Sequence, residues 1–129
     1  MTGVDASISE YNYEDIPKFL DKTKLSFAVN AEYNKRSDDS DQIPLFEDVL
    51  KRYPDTPFNV DFKEGQIDLI EEANKLIKKY NHQDKIIWGS FSKETTMRLK
   101  TVNPDISRFV SRQEFFSIMF LYYIGLLPF

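Results

Sequence analysis

Between residues 57 and 91 the chain reads PFNVDFK, EGQIDLIEEANKLIKKY, NHQD and KIIWGSF, a helical period held between two strand patterns. Ile67, Ile70, Ala73, Ile77 and Tyr80 recur at spacings of three and four, while Glu71, Glu72, Lys75, Lys78 and Lys79 fall mostly elsewhere, with acidic residues before basic ones as the helix dipole favours. Phe58, Val60 and Phe62 alternate with Asn59, Asp61 and Lys63, and Lys85 to Phe91 is an almost unbroken apolar run of the kind covered on both faces. Two strands joined by a helix of this length pair in parallel, because a tight turn cannot bring them side by side in that sense.

The same alternation extends outward. Pro44 opens a helix over LFEDVLKRY, with Leu45, Val49 and Arg52 or Tyr53 on one side and Pro54 as its stop. SKETTMRLKTV follows the second strand as a polar helix, Asn103-Pro104 ends it, and ISRFVS (Ile106 to Ser111) is the next strand candidate. FFSIMFLYYIGLLPF (Phe115 to Phe129) closes the chain as a helix that is apolar on every side. The order from residue 44 is helix, strand, helix, strand, helix, strand, helix. The fold class is therefore α/β, with about three to four parallel strands and alternating helices. Before residue 42 the pattern is weak, apart from a short strand candidate at Leu25 to Ala31.

In a parallel sheet covered on both faces, the polar row of PFNVDFK is expected to face a packed layer or a cavity. If the sheet closes into a barrel, Asn59, Asp61 and Lys63 point inward, with Asp61 and Lys63 at the C-terminal end of the strand, where barrel active sites lie. A structural Asp-Lys pair is the other reading of the same spacing.

Composition removes several function classes. With 17 Lys plus Arg against 21 Asp plus Glu, the net charge of -4 supplies no general field for a phosphate backbone, so no nucleic-acid partner is expected. The absence of cysteine excludes a disulfide framework and a thiolate zinc site. SDDSDQ (Ser37 to Gln42) lacks the Gly and closing Glu of an EF-hand loop and is expected to be a solvated loop. Ser90 in WGSFS lacks the second glycine of a nucleophile elbow, which leaves an ordinary strand-end serine. His82, the single histidine, lies between a helix and a strand and is expected to be a solvated loop or helix-end residue. No catalytic residue is assigned.

Several of these segments resemble the glycerophosphodiester phosphodiesterase family. Ile43-Pro44-Leu45-Phe46-Glu47-Asp48-Val49-Leu50 is similar to that family's isoleucine-proline and acidic helix, and Asn59-Val60-Asp61-Phe62-Lys63 to its N-I-(E/D)-I-K strand. MTGVDASISEYNYEDIP resembles the family's Thr-Gly-Val segment, Trp88-Gly89-Ser90-Phe91 with Asn103-Pro104 its next strand and helix, and Gly125-Leu126-Leu127-Pro128-Phe129 its membrane-associated, lysophospholipase D-like branch. The resemblance covers nearly the whole chain, as the central part of that domain.

The resemblance implies a TIM-type barrel, partial in residues 1 to 129, that hydrolyses glycerophosphodiesters or lysophospholipids in lipid metabolism. By the same likeness Asp61 maps onto a ligand of a divalent metal, Mg²⁺ or Ca²⁺, and Lys63 onto a group that binds the substrate phosphate. The family's His-Arg-Gly, Glu-x-Asp and His-Asp motifs precede the Thr-Gly-Val segment and are not in this chain. An eight-stranded barrel also needs about 200 to 250 residues. The chain alone is thus expected to hold the metal weakly and to be inactive.

Three further expectations concern the surroundings. Residues 115 to 129 are read as a buried barrel helix, or, being apolar all round, as a membrane-contacting segment or a helix lacking its partner surface, too short at ~22 Å to cross a ~30 Å hydrocarbon core. Arg108 and Arg112 would sit at lipid headgroups, and the location would be membrane-associated inside the cell, on the cytoplasmic or endoplasmic reticulum face. The alternative functions are a non-catalytic membrane-associated interaction or regulatory fragment, and a small open-sheet α/β module with Asp61 at a strand end.

Overall fold

A computed structural model describes residues 2–25 and 30–127. The central residues of the candidate strand at Leu25 to Ala31 lie outside that range, as do the last two of the apolar C-terminal segment. The chain divides into two compact units, Met1–Leu45 and Phe46–Phe129.

In the first unit, β1 (Lys22–Lys24) pairs antiparallel with β2 (Glu32–Asn34), and Thr23 lies opposite Tyr33. Neither strand follows from an apolar period, because each is short and made of polar and charged residues. None of the described residues of this unit is buried, so polar contacts organise it. Tyr13 donates to the Ile43 carbonyl at 2.9 Å, and the Lys35 ammonium pairs with Asp41 and Asp21. SDDSDQ is a loop as expected: Asp39 accepts from the Tyr33 hydroxyl and the Arg36 amide, and Asp41 is taken by lysines.

The second unit has the predicted order: α1 (Phe46–Arg52), β3 (Phe58–Asp61), α2 (Ile67–Lys79), β4 (Ile86–Gly89), α3 (Lys93–Val102), β5 (Ser107–Arg108) and α4 (Arg112–Tyr123). The three strands form one parallel sheet, β3-β4-β5, with Val60 opposite Trp88 and Trp88 opposite Arg108. The core is Leu50, Phe62, Ile70, Ala73, Ile77, Ile86, Trp88, Leu99 and Ile106. Phe58 and Val60 pack against this core from the sheet, and α2 delivers Ile70, Ala73 and Ile77 on the stripe read from its sequence. In α1 the buried face is one residue away from the expected one. Leu50 is fully buried and Phe46, one turn earlier, packs on the core, whereas Leu45 is exposed and precedes the helix.

Local chemistry sets the helix ends. Ser92 caps α3 by accepting from the Thr95 amide at 3.3 Å, and Ser111 with Glu114 makes a capping box at the start of α4. Glycine closes α4: Gly125 has φ 71°, the Leu126 amide reaches back to Leu121 at 2.9 Å, and the Gly125 amide reaches Tyr122 at 3.1 Å. This is the Schellman pattern. Asn81 does the same after α2 with φ 55°, and His82 N donates to the Ile77 carbonyl at 2.9 Å.

The sheet is open rather than covered on both sides. Ile87 is 49% exposed, and Asn59 and Asp61 are exposed on the same face. Three strands span only part of a barrel's circumference, so the row that closure would turn inward here meets solvent. The reading of the C-terminal apolar segment as a buried helix does not hold, since no residue of α4 is buried, and no helix among the described residues is long and apolar enough to cross a membrane.

One contact ties α1 to α2. Glu47 accepts from Lys79 at 2.8 Å and from the Tyr80 hydroxyl at 2.6 Å. The Lys79 hydrogen bond, then that of Tyr80, lowers the Glu47 carboxyl from 4.5 to about 2. A depressed folded-state value means that this contribution is present above pH 4.5 and is lost as pH falls toward about 2. Urea midpoints of the parent and Glu47→Gln should therefore differ near neutrality and converge at the acid end. A difference that stays constant across the window would contradict the assignment.

Candidate functional site

Alternation places Asp61 and Lys63 on the open face, at the C-terminal end of β3. Their side chains form an ion pair, with Asp61 33% and Lys63 72% exposed. The Lys63 ammonium also lies 5.2 Å from the centroid of the Phe91 ring. Sequence reasoning thus brings together the two residues that it selects, and the structure adds an aromatic neighbour from the β4–α3 connection.

The supporting groups were less visible in the sequence. Asp61 is opposite Gly89, and a Cβ at Gly89 would stand 2.7 Å from ring carbons of Phe109, so only glycine lets that ring lie flat on β4 next to the Asp61 row. The end of β3 is held by Ser90, which is buried. Its hydroxyl donates to the Phe62 carbonyl at 2.6 Å and accepts from the Ser92 amide at 3.2 Å, while the Phe62 amide donates to the Gly89 carbonyl at 2.9 Å. Thr96 secures the same turn by donating to the Ser90 carbonyl at 3.0 Å. Ser90 is therefore a structural serine that fixes the backbone between Asp61 and Lys63.

His82 is elsewhere, and it is not solvated. It is fully buried, with Nδ1 2.9 Å from the Tyr80 carbonyl and Nε2 3.2 Å from the Tyr53 carbonyl. Its ring lies 6.1 Å from that of Phe58, at the end of β3 opposite Asp61. The correction follows from the helix end: in a Schellman motif the residue after the left-handed one turns back onto the last helical turn, and here that residue is His82.

The described residues do not by themselves fit a divalent cation. No group of three His, Cys, Asp or Glu able to hold a metal occurs among them. Asp61 stands as a single carboxylate already paired with an ammonium, whereas Mg²⁺ or Ca²⁺ takes six or more oxygens.

Comparison with known proteins gives a consistent likeness. The chain is 33% identical over 128 residues to lysophospholipase D GDPD1 of Homo sapiens, covering 99% of this chain and 40% of that protein. It is 32% identical to GDPD1 of Rattus norvegicus and 27% identical to lysophospholipase D GDPD3 of Homo sapiens, again over 99% of its own length. The chain thus spans about 40% of the length of the curated relatives it matches. No protein-family model matches it, and no solved structure does.

Proposed function

Since the chain is homologous, along almost all of its length, to the lysophospholipase D proteins of the glycerophosphodiester phosphodiesterase family, we propose that it is the central part of a TIM-type barrel that hydrolyses glycerophosphodiesters or lysophospholipids. The observation that carries this reading is the Asp61–Lys63 pair at the C-terminal end of a parallel strand, on the face that barrel closure would turn inward. Lys63 is the ammonium suited to a phosphate oxygen, and Asp61 the carboxylate this chain would offer toward a divalent cation. Because the described residues offer too few donors for that cation, the 129-residue chain alone is inactive in this reading.

A chimera supplies the test. The segment of GDPD1 that this chain matches is replaced by the chain, and head-group release from lysophosphatidylcholine is measured with Mg²⁺ or Ca²⁺. The chimera turns over, the isolated chain does not, and Asp61→Asn lowers kcat/KM by at least about a hundredfold. Lys63→Met costs on the order of 10²-fold, as removal of one donor to a developing anion does elsewhere. Full activity of the Asp61→Asn chimera would remove Asp61 from the site.

A second reading has its own support. The small donor set among the described residues, together with an α4 that buries none of its residues, suits a non-catalytic fragment that associates with membranes. An active chimera that loses turnover on Asp61→Asn counts against it.

A further inference from the structure

Next to the Asp61–Lys63 pair, where β4 leads into α3 and α4 begins, lies an open cavity of about 630 Å³ lined by Phe91, Lys93, Met97, Arg112 and Gln113 among others. A second cavity of about 300 Å³ shares Lys93 and Gln113 with the first and runs on past Val110, Ile118 and Leu121 of the α4 region. Together they trace a crevice that runs from Lys93 and Arg112 along α4, with Met97, Val110, Ile118 and Leu121 as its apolar wall and Glu94, Arg108, Glu114 and Ser117 also on its lining. From Arg112 to Leu121 the helix advances ~13 Å, a span suited to a single acyl chain.

Of the cations in this crevice, Arg108 is paired with Glu114, whereas Lys93 and Arg112 have no carboxylate partner among the described residues. Glu94, which neighbours Lys93, is paired with Arg98. Glu114, which faces the start of α4, is held by the Ser111 amide and hydroxyl and by Arg108, and the Ser111 amide chiefly keeps its carboxyl below the usual carboxylate range. Neither Lys93 nor Arg112 meets a carboxylate among the described residues, and Arg112 only rests 5.9 Å above the Phe116 ring. A chain of net charge -4 thus carries a locally positive cleft. Its apolar lining is equally uncovered: Phe91 is 66%, Met97 49% and Ile118 42% exposed. The Phe91 ring joins this cleft to the Lys63 ammonium, so the two sites are adjacent.

We infer that the crevice between the start of α3 and α4 binds a single-chain lipid bearing a phosphate monoester, its phosphate at Lys93 and Arg112 and its acyl chain along Met97, Ile118 and Leu121. A phosphate monoester carries about two negative charges near neutrality, matching two unpaired cations, and the chain covers apolar surface that the protein leaves bare. Such a lipid is what cleavage of a lysophospholipid head group leaves, so the choice of ligand rests on the function proposed above. The binding itself does not use Asp61.

The test is calorimetric titration of the 129-residue chain with octanoyl glycerol phosphate kept below its micelle concentration. Saturable one-to-one binding is expected, weakening with salt. The Lys93→Ala/Arg112→Ala pair, and separately Ile118→Asp, should each lower the affinity at least about tenfold. All three side chains are exposed, and unchanged far-UV circular dichroism verifies the fold of each variant. Inorganic phosphate and uncharged octanoyl glycerol should each bind at least about tenfold more weakly than the phosphorylated lipid. Asp61→Asn should not lower the affinity, since it removes a carboxylate and no cation of the crevice, which separates this site from the hydrolytic one. The proposal is overturned by parent-like affinity in the double variant, by equal binding of inorganic phosphate, by binding to lipid vesicles with none to the monomer, or by loss of affinity in Asp61→Asn.

Discussion

Trp88→Ala lowers the stability of the second unit by about 3–5 kcal/mol and its urea midpoint accordingly. Trp88 sits in the middle strand of the sheet, is fully buried, and meets the edge of the Phe62 ring at 6.1 Å and 79°. Truncating a buried tryptophan costs about 3–5 kcal/mol, a large share of the roughly 5–15 kcal/mol that holds an ordinary domain together. The measurement is urea denaturation followed by far-UV circular dichroism, since the variant lacks the chain's one tryptophan. Trp88→Phe is the informative control. It keeps the aromatic contact and removes Nε1, a buried donor with no acceptor among the described residues. An unsatisfied buried donor costs about 1–3 kcal/mol, which offsets much of the smaller cavity that phenylalanine leaves. A midpoint for Trp88→Ala within error of the parent would show that this core does not hold the unit.

His82→Phe produces the second large loss. Phenylalanine fills a similar space but faces the Tyr80 and Tyr53 carbonyls with carbon, where imidazole nitrogens stand at 2.9 and 3.2 Å. The ring donates to at least one of these carbonyls, and a buried acceptor left without its donor costs about 1–3 kcal/mol. His82→Gln should recover part of it, because an amide N–H can reach one carbonyl. If phenylalanine and glutamine variants have the same denaturation midpoint, hydrogen bonding is not what His82 contributes. A pure packing role would favour phenylalanine.

His82 also shows where residue-by-residue reading falls short. A polar residue in YNHQDK reads as loop, and loops usually face water. The informative signal was Asn81: asparagine directly after a helix accepts the left-handed conformation, and the next residue then folds back over the last turn. Taken with the end of the Ile67-to-Tyr80 period, that pair of residues places His82 inside. Ser90 gave a different lesson. Its strand-end position was legible, but its hold on the Phe62 carbonyl depends on β3 and β4 lying side by side, a pairing between segments nearly thirty residues apart.

The helices were legible from local evidence: an apolar stripe at spacings of three and four in α2, prolines on either side of α1, and Asn103-Pro104 after α3. The parallel sheet followed from the order of those elements. Asp61 and Lys63 were legible because alternation in a strand is local, so their common face needed no partner strand to reveal it. The two short strands of the first unit were not, since KTK and EYN have no apolar period and form only by pairing with each other.

The sequence by itself therefore determined the element order, the parallel sense of the sheet and the shared direction of Asp61 and Lys63, all consequences of short-range period and capping. Tertiary structure alone decided that this face stays open to solvent, that Leu50 rather than Leu45 anchors α1, that His82 is buried, and that Lys93 and Arg112 meet no carboxylate among the described residues. Each of these depends on which distant surfaces meet. A residue's burial and its charge partners are properties of that meeting, and no window of neighbouring residues contains them.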